Sequence, residues 1–238
     1  MKKITIHQPE CYPWLGFFNK MMLADEYVIL DNVKFRKNYF QNRNQFLTKN
    51  GAIFLTVPVE KEANSKIIKD VKIANQTKWQ KKHFQTLKQN YSKAPYFKEY
   101  EAFFLKLYEK KFDYLIDFNM EIINYLREIL KINNKLIYAS ELEVDGSSSE
   151  LLLNICKKCN ADVYISGKDG RNYLDIGLFN KNNIKVVFHN FMIPEYEQFN
   201  SNKFIPYMST FDLLFNISKD EAIQIIKKGG NYETDDNK

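Results

Sequence analysis

The sequence predicts an α/β fold with a mixed, largely parallel sheet, an antiparallel hairpin extension and a helical insertion. Three observations lead to this prediction. A strand, a helix and a second strand follow one another near the amino terminus, and strands alternate with helices again after about residue 135. Between these regions, Asn50-Gly51 indicates a hairpin, and a long stretch spaces its apolar residues as helices do. We therefore expect the parallel strands to form a Rossmann-like sheet.

The first strand-helix-strand unit covers roughly residues 4 to 31. ITIH has the composition of a buried strand, and in the following PWLGFFNKMMLADE the apolar Leu15, Phe18 and Met22 recur at helical spacing. Pro13 suits the first turn of that helix. EYVILDNV is then typical of a second buried strand, which ends at Asp31. A connection through a helix joins parallel strands, so we expect these two strands to be parallel.

The middle of the chain departs from this alternation. Asn50-Gly51 lies between two β-rich runs, so we predict a hairpin extension at about residues 40–74, in which KIIKDVKIA adds a further strand. From Thr77 to about Ile132, three segments have the apolar period of amphipathic helices. Such helices bury their apolar faces against one another, so we predict a helical subdomain at about residues 77–132.

The last third of the chain returns to alternating strands and helices. The strand-like runs are KLIYAS, DVYISG and IKVVFHNF, and the helical runs ELLLNICKKCN and IGLFNKNN lie between them. We predict one α/β domain over residues 1–230, which carries both the hairpin extension and the helical subdomain. The polar residues 231–238 are expected to form a disordered tail.

Composition limits the class of protein. Lysine and arginine number 35 against 29 aspartates and glutamates, which gives a net charge of +6. The excess is spread along the chain, so it favours small anionic ligands slightly and does not indicate a nucleic-acid-binding protein. The three cysteines are an odd number and no signal-peptide pattern is present, so we expect no disulfide framework and a cytoplasmic protein. No apolar run approaches the roughly 20 residues of a membrane span.

Two loops are predicted to contact a ligand. In open α/β sheets, ligands bind where parallel strands end and helices begin, because free backbone N–H groups favour anions there. The opening loop follows the first strand and carries His7, Gln8, Tyr12 and Trp14. The second loop follows the strand DVYI and carries Ser166, Gly167, Lys168, Gly170 and Arg171. We expect the two loops to face each other across one crevice.

Each loop also has a purely structural interpretation. Two glycines allow close approach of a ligand, and Lys168 and Arg171 supply charge suited to phosphate, but the same residues fit an ordinary polar turn. Trp14 and its neighbouring phenylalanines could simply cover the core. A strand end needs no pair such as His7 and Gln8 for folding, so His7 is the stronger candidate for a catalytic role.

A third segment, LDNVKFRKNYFQNRNQ, mixes charged and amide side chains with aromatic rings. Its candidate ligand-binding residues are Lys37, Asn42, Arg43 and Asn44, and Asp31 is a second candidate for a catalytic base. Forked hydrogen-bond donors beside aromatic faces could bind a phosphorylated or sugar-like ligand. A solvated hairpin edge guarded by charge is the alternative interpretation.

Neither a metal site nor an enzyme nucleophile is predicted. The three histidines lack ligand spacing, the pair Cys156 and Cys159 has no second half-site, and the GxSxG motif of hydrolases is absent. Direct transfer between two bound substrates therefore fits the sequence better than a covalent enzyme intermediate.

The chain resembles the WbqC-like protein family. The matching segments are HQPECYPWLGFFNKMMLADEYVILDNVKF, QNRNQ, LTVPV, KAPYF, YISGKDGRNYLD, PEYEQF and FIPYMSTFDLLFN, in the family's order along nearly the whole length. Lys34 and Phe40 depart from the family pattern, which more usually has glutamine and tryptophan there. The resemblance implies that Tyr173, Asp175, Tyr196 and Gln198 also bind substrate. It also implies a setting in the biosynthesis of bacterial surface glycans such as O-antigen or capsule.

These observations lead to one leading hypothesis and two alternatives. The leading hypothesis is transfer of an acyl or aminoacyl group to the amine of a nucleotide-linked amino sugar, with His7 or Asp31 as the base. ATP could drive the reaction, and the sequence otherwise leaves the cofactor open. The alternatives are a glycosyltransferase-like enzyme and a non-catalytic scaffold of a glycan-assembly complex. The expected partner is a small molecule rather than nucleic acid, and the sequence leaves the oligomeric state open.

Overall fold

The computed structural model of the chain describes residues 1–234. The strands in this range are β1 (Lys3–His7), β2 (Glu26–Ile29), β3 (Arg43–Thr48), β4 (Gly51–Thr56), β5 (Lys135–Tyr138), β6 (Val163–Ser166), β7 (Lys185–Phe191) and β8 (Gly230–Thr234). The α-helices are α1 (Leu15–Met22), α2 (Trp79–Tyr91), α3 (Phe97–Glu109), α4 (Leu115–Ile129), α5 (Ser148–Lys158), α6 (Ile176–Asn180), α7 (Thr210–Asn216) and α8 (Lys219–Lys228). This set of strands and helices confirms the predicted α/β class.

Six of the strands form one mostly parallel sheet, in the order β5-β2-β1-β6-β7-β8. Every neighbouring pair is parallel except β7 and β8, which are antiparallel. The remaining two strands, β3 and β4, form a separate antiparallel hairpin. The prediction of a mixed, largely parallel sheet with a hairpin extension is therefore confirmed.

The strand order reverses at β1. The chain runs outward from β1 through β2 to β5, then returns to place β6 on the other side of β1 and continues to β7. In such sheets a crevice opens above the carboxyl ends of the two strands at the reversal. Thr5 pairs with Ile165, so extending this register by two residues places His7 level with Gly167. The topology alone therefore brings the two predicted loops to one point.

Both faces of the sheet are covered. Alternate residues of a strand point to opposite faces, and in β2 the side chains of Tyr27 and Ile29 join one hydrophobic core while Val28 joins another. The first core includes α1, the hairpin and the helices α2, α3, α4 and α7. The second core lies under α5 and α6. Burial on both faces explains the nearly continuous apolar runs of the parallel strands.

The hairpin extension differs from its prediction in one part. Gly51 begins β4 with φ of 103°, a conformation that favours glycine, so the turn signal was placed correctly. Residues 66–74 do not form the predicted strand; they contain a short 3-10 turn at Ile68–Asp70 and make only single bridges, such as Val59 with Ile73. Ile68 and Ile73 are buried in the core that the hairpin and the helices share, so side-chain packing rather than strand pairing holds this segment in place.

The expected tail begins with a strand. Residues 231–234 belong to β8, whose Tyr232 pairs with His189 of β7, and residues 235–238 lie outside the described range. The sequence GNYET has no apolar alternation, so its pairing comes from backbone hydrogen bonds to β7 and was not visible as a pattern. A disordered tail from residue 231 is therefore wrong for these four residues.

Two smaller expectations concern cysteines and membranes. Cys11, Cys156 and Cys159 are buried and unpaired. None of the helices within residues 1–234 has the length and apolar character needed to cross a lipid bilayer.

Candidate functional site

A cavity of about 1100 Å³ opens at the carboxyl ends of β1, β6 and β7. The opening loop and the turn after β6 both contribute to its wall. Their residues there are His7, Gln8, Glu10, Trp14, Gly167, Lys168, Gly170 and Tyr173. The structure therefore places the two loops that sequence analysis singled out around one space, which is large enough for a nucleotide-sized ligand.

Three polar side chains form a hydrogen-bonded chain in the cavity wall. Nζ of Lys20 lies 2.7 Å from Nδ1 of His7, and Nε2 of His7 lies 2.9 Å from Oε1 of Glu10. Lys20 is 3% exposed and Glu10 is 4% exposed, so both are nearly removed from water. An ionised Glu10 accepts the Nε2–H of His7, which leaves Nδ1 as the acceptor for the Lys20 ammonium. Glu10 thus selects the tautomer of His7 that binds Lys20.

The surroundings change the proton affinity of two of these groups. Burial lowers the pKa of Lys20 to about 8, and the negative charge of Glu10 opposes this effect. Burial and the nearby Lys20 lower the pKa of His7, against the hydrogen bond and charge of Glu10. His7 is therefore neutral at pH 7, and Lys20 exchanges a proton close to physiological pH. Such a buried amine can act as a general base.

His189 of β7 approaches the same lysine from the other end of the chain. Its Nε2 atom lies 2.7 Å from Oδ1 of Asn19, the residue before Lys20 on α1. Burial lowers the pKa of His189 to about 3, with smaller effects from Lys20 and His7, so this imidazole stays neutral. Asn19 also donates to the backbone carbonyl of Ile226 at 2.7 Å. These bonds fix α1, and with it Lys20, against β7 and α8.

Aromatic rings provide another part of the cavity wall. The Trp14 ring packs edge-to-face on Phe191, with centroids 5.5 Å apart, and lies 6.2 Å from the ring of Tyr207. A Cβ atom at Gly16 would overlap the indole ring, so glycine is what lets Trp14 lie on the first turn of α1. Trp14, Phe191 and Tyr207 all line the cavity. Their faces can stack on a sugar or a base.

We expect Gly16→Ala to displace the Trp14 ring and weaken ligand binding about tenfold, because a lost stacking contact is worth roughly 1–3 kcal/mol. The substitution should leave the fold intact, since alanine favours a helix more than glycine does. The NMR signal of the Trp14 indole N–H should shift in the variant. Gly177→Ala in α6 is the matched control, because the nearest atom there is Oδ1 of Asp175 at 3.3 Å. An unchanged Trp14 signal in Gly16→Ala would contradict this packing.

The turn after β6 brings backbone close to the cavity. Gly167 and Gly170 line it, and a Cβ atom at Gly170 would overlap Oγ of the fully buried Ser166. Ser166 itself donates to the carbonyl of Gly167 at 3.2 Å, so it shapes the turn from beneath. Lys168 and Asp169 are exposed and line the cavity. The turn therefore presents one cation and one anion beside exposed backbone.

The family model of the WbqC-like proteins matches residues 8–224, which include the second loop and the opening loop from Gln8 onward. The chain belongs to the WbqC-like protein family. It is also 31% identical over 219 residues to "Uncharacterized protein Rv1507c" of Mycobacterium tuberculosis (strain ATCC 25618 / H37Rv), over 91% of this chain and 94% of the relative. No solved structure matches the chain. The predicted membership is confirmed, and this relative's name carries no function.

In this WbqC-like protein, Asp31 lies away from the cavity wall. Its Oδ1 accepts from the backbone N–H of Ser140 at 2.9 Å, and its Oδ2 accepts from the Ser140 hydroxyl at 2.6 Å. The carboxylate thus connects the end of β2 to the segment after β5. Both oxygens have partners and the group is 2% exposed, so the structure does not support Asp31 as a catalytic base.

Three of the predicted ligand-binding residues are buried inside the fold instead. The Tyr12 hydroxyl lies 2.8 Å from that of Tyr108, beneath the helices. Asn44 donates to the carbonyl of Tyr12 at 2.9 Å, and Asn42 donates to the carbonyl of Val57 at 3.0 Å. Asn44 thus holds the opening loop to the hairpin, and Asn42 joins the two ends of the hairpin. Substitution there would act through folding rather than through ligand contact.

Two predicted cations of the same segment also point elsewhere. Lys37 is exposed and does not line the cavity. The guanidinium of Arg43 lies 4.2 Å from the ring centroid of Phe54, on the hairpin. The cavity instead receives Tyr39, Phe40 and Gln41 from this segment, and Gln41 donates to Oε1 of Gln8 at 2.6 Å. The aromatic and amide residues of the segment reach the site, whereas its cations do not.

Two residues of the second loop have structural roles. Arg171 lies with its guanidinium 4.3 Å from the ring centroid of Phe188 and pairs with Glu233 at 3.7 Å. Asp175 caps α6 by accepting from the N–H of Leu178 at 3.0 Å. Neither residue lines the cavity, so Lys168 is the predicted cation that remains there.

Tyr196 and Gln198 belong to a buried polar network rather than to the cavity wall. The Tyr196 hydroxyl donates to Oδ2 of Asp212 at 2.8 Å, and Nε2 of Gln198 donates to the same oxygen at 2.9 Å. The Tyr91 hydroxyl donates to Oδ1 at 2.6 Å. Burial raises the pKa of Asp212, and the three hydrogen bonds oppose this rise. The network joins α2, α7 and the segment after β7.

Sequence reasoning missed Glu10, Lys20, Asp169 and His189. Glu10 lies three residues after His7, a spacing that could have indicated a partner for the imidazole. Lys20 and His189 gave no such signal, because Lys20 sits in a short helix and His189 is far along the chain. Among residues 1–234, no three histidine, cysteine, aspartate or glutamate side chains are grouped as metal ligands.

Proposed function

We propose that this WbqC-like protein transfers an acyl or aminoacyl group to the amine of a nucleotide-linked amino sugar during surface-glycan biosynthesis. The observation that carries this proposal is the chain of Glu10, His7 and Lys20 at the wall of the cavity. It provides a buried amine, that of Lys20, whose pKa of about 8 is close to physiological pH. The imidazole of His7, oriented by Glu10, holds this amine in place. The group lies where parallel α/β sheets bind ligands.

The charges around the cavity suit a ligand that carries both an amine and phosphates. Glu10, Asp169 and Glu195 supply negative charge, and Lys20 and Lys168 supply positive charge. An ammonium is attracted by the carboxylates, whereas a diphosphate is attracted by Lys168 and the backbone of the adjacent turn. The aromatic wall can stack on the sugar or the base. A purely anionic ligand would gain less from this mixture.

The reaction follows from these positions. The sugar amine attacks the carbonyl carbon of the acyl donor, so a C–N bond forms and the bond to the leaving group breaks. Lys20 acts from its neutral form, which is the minor form at pH 7 because its pKa is about 8. This form receives the amine proton and, once charged, donates a hydrogen bond to Nδ1 of His7. Glu10 holds His7 in the accepting tautomer and balances the new charge. If ATP activates the acyl group, the phosphate or AMP that this activation attaches to the acyl carbon is the leaving group.

The proposal predicts which ligands stabilise the protein against heat. Nucleotide-linked amino sugars should raise the melting temperature more than the same sugars with an acylated amine, because acylation removes the ammonium. Adding an acyl donor should then yield a sugar nucleotide heavier by the acyl group, measured by mass spectrometry. Lys168→Gln should weaken the stabilisation, and Lys181→Gln on the exposed end of α6 should not.

Three outcomes would contradict the proposal. Equal stabilisation by free and acylated sugars would remove the role of the amine. Stabilisation that requires a divalent metal, with release of the free nucleotide, would indicate glycosyl transfer. No stabilisation by any small molecule, together with retention of a partner protein, would indicate a scaffold.

A further inference from the structure

A second groove of about 780 Å³ lies between the hairpin and α2, in a different part of the fold from the cavity of His7. Strand β4 and the segment after it provide one side, with Phe54, Thr56 and Pro58. The first two turns of α2 provide the other side. The proposed function assigns no role to this groove.

The charge of the groove differs from that of the first cavity. Lys78, Lys81 and Lys82 line it, and its wall contains no aspartate or glutamate from the described residues. All three lysines are exposed, and none forms an ion pair within residues 1–234. Three cations without a neighbouring carboxylate create a local positive potential, which attracts anions. The net charge of the whole chain does not reveal this local excess of positive charge.

Hydrogen-bond donors are available at the same place. Lys78 occupies the N-terminal capping position of the 13-residue helix α2, and no side chain caps that end. The N–H groups of the first turn therefore favour negative charge. Trp79 lines the groove and is 5% exposed, and its indole Nε1–H has no acceptor among the described residues. A buried indole donor normally has a partner, so this N–H is available to a ligand oxygen that displaces the atoms covering it.

An aromatic face completes the groove. Phe54 is 45% exposed, which is unusual for a phenylalanine on a strand, and Arg43 covers part of its ring at 4.2 Å. A sugar or base ring can pack on this side chain while its phosphate lies near the lysines. The volume suits a small molecule. We propose that the groove is a second binding site, which takes the phosphate or diphosphate group of a small phosphorylated ligand.

The two tryptophans of the chain make a direct test, because Trp14 lines the first cavity and Trp79 lines the second groove. The ¹⁵N-labelled protein is titrated with pyrophosphate, and the two indole N–H signals are assigned with Trp14→Phe and Trp79→Phe. We expect the Trp79 signal to shift with saturation. Sodium chloride at the same ionic strength should not reproduce the shift.

The double variant Lys81→Gln with Lys82→Gln should bind pyrophosphate at the groove on the order of tenfold more weakly, because it loses two of three cations. Lys93→Gln, an exposed lysine just beyond α2, is the control and should bind as the native protein does. A shift confined to Trp14, a shift equalled by sodium chloride, or equal affinity in the double variant would each overturn the proposal. These outcomes leave the proposed transfer reaction at the first cavity untouched.

Discussion

Replacing Lys20 with methionine should abolish group transfer and make the protein more stable at pH 7. The pKa of Lys20 falls from 10.5 to about 8, so keeping its charge in the folded protein costs about 3 kcal/mol. Methionine fills a similar volume without that charge, although it loses the bond to His7. We expect a net increase of about 2 kcal/mol in the free energy of unfolding and a loss of transfer of about 100-fold or more. Urea denaturation and a product assay measure the two effects.

The pH dependence of stability provides a sharper form of the same prediction. Below pH 8, both folded and unfolded protein hold the proton on Lys20, so the difference between the native protein and Lys20→Met is constant. Between about pH 8 and 10.5, the unfolded chain binds the proton and the folded protein releases it. The native protein should therefore gain stability relative to the variant as pH rises through this window.

An exposed lysine serves as the control for this pair of measurements. Lys181→Met, at the end of α6, should change neither the transfer rate nor the slope of stability with pH. If Lys20→Met unfolds more readily at pH 7, or if its stability follows that of the native protein from pH 8 to 10, then Lys20 does not carry a buried charge and the proposed base is wrong.

Replacing Asp212 with alanine should cause the largest loss of stability among the polar residues described. The carboxylate is fully buried and accepts hydrogen bonds from Tyr91, Tyr196 and Gln198. Its removal leaves three buried donors without an acceptor. We expect the free energy of unfolding to fall by about 4 kcal/mol, the cost of breaking a buried polar network by removing one partner.

Two further variants distinguish this network from a substrate site. Asp220→Ala, which removes an exposed carboxylate of α8, should change the stability by less than about 1 kcal/mol. Tyr196→Phe should lower the free energy of unfolding by about 1 kcal/mol and leave ligand stabilisation intact. If Tyr196→Phe instead removed ligand stabilisation without affecting folding, the substrate role suggested by the family resemblance would be correct and the structural role wrong.

The sheet could be predicted from the sequence because its signals are local. The alternation of apolar strands with amphipathic helices indicated parallel pairing, and Asn50-Gly51 marked the hairpin turn. The segment at 66–74 and the strand β8 were mispredicted in opposite directions. The first has the apolar residues of a strand but is held by side-chain packing, whereas the second lacks them and pairs with β7 through its backbone.

The sequence predicted only those residues of the site that lie at the ends of strands. His7 ends β1 and Gly167 follows the adjacent parallel strand β6, so topology places them together. Lys20 was not recognised because α1 is buried on nearly every side, and its polar residues therefore face the interior rather than solvent. Arg43, Tyr196 and Gln198 look like ligand-binding residues by type, yet they bind an aromatic ring or a buried carboxylate. Side-chain chemistry alone does not distinguish these roles.

The central claim is that the first cavity holds a nucleotide-linked amino sugar against His7. Titration of the ¹⁵N-labelled protein with such a sugar nucleotide tests this most directly, since the His7 ring, the Trp14 indole and the Trp79 indole report on separate places. We expect the His7 and Trp14 signals to shift together at saturation, whether or not the same ligand also shifts the Trp79 signal of the second groove. Unchanged His7 and Trp14 signals in the presence of saturating ligand would contradict it.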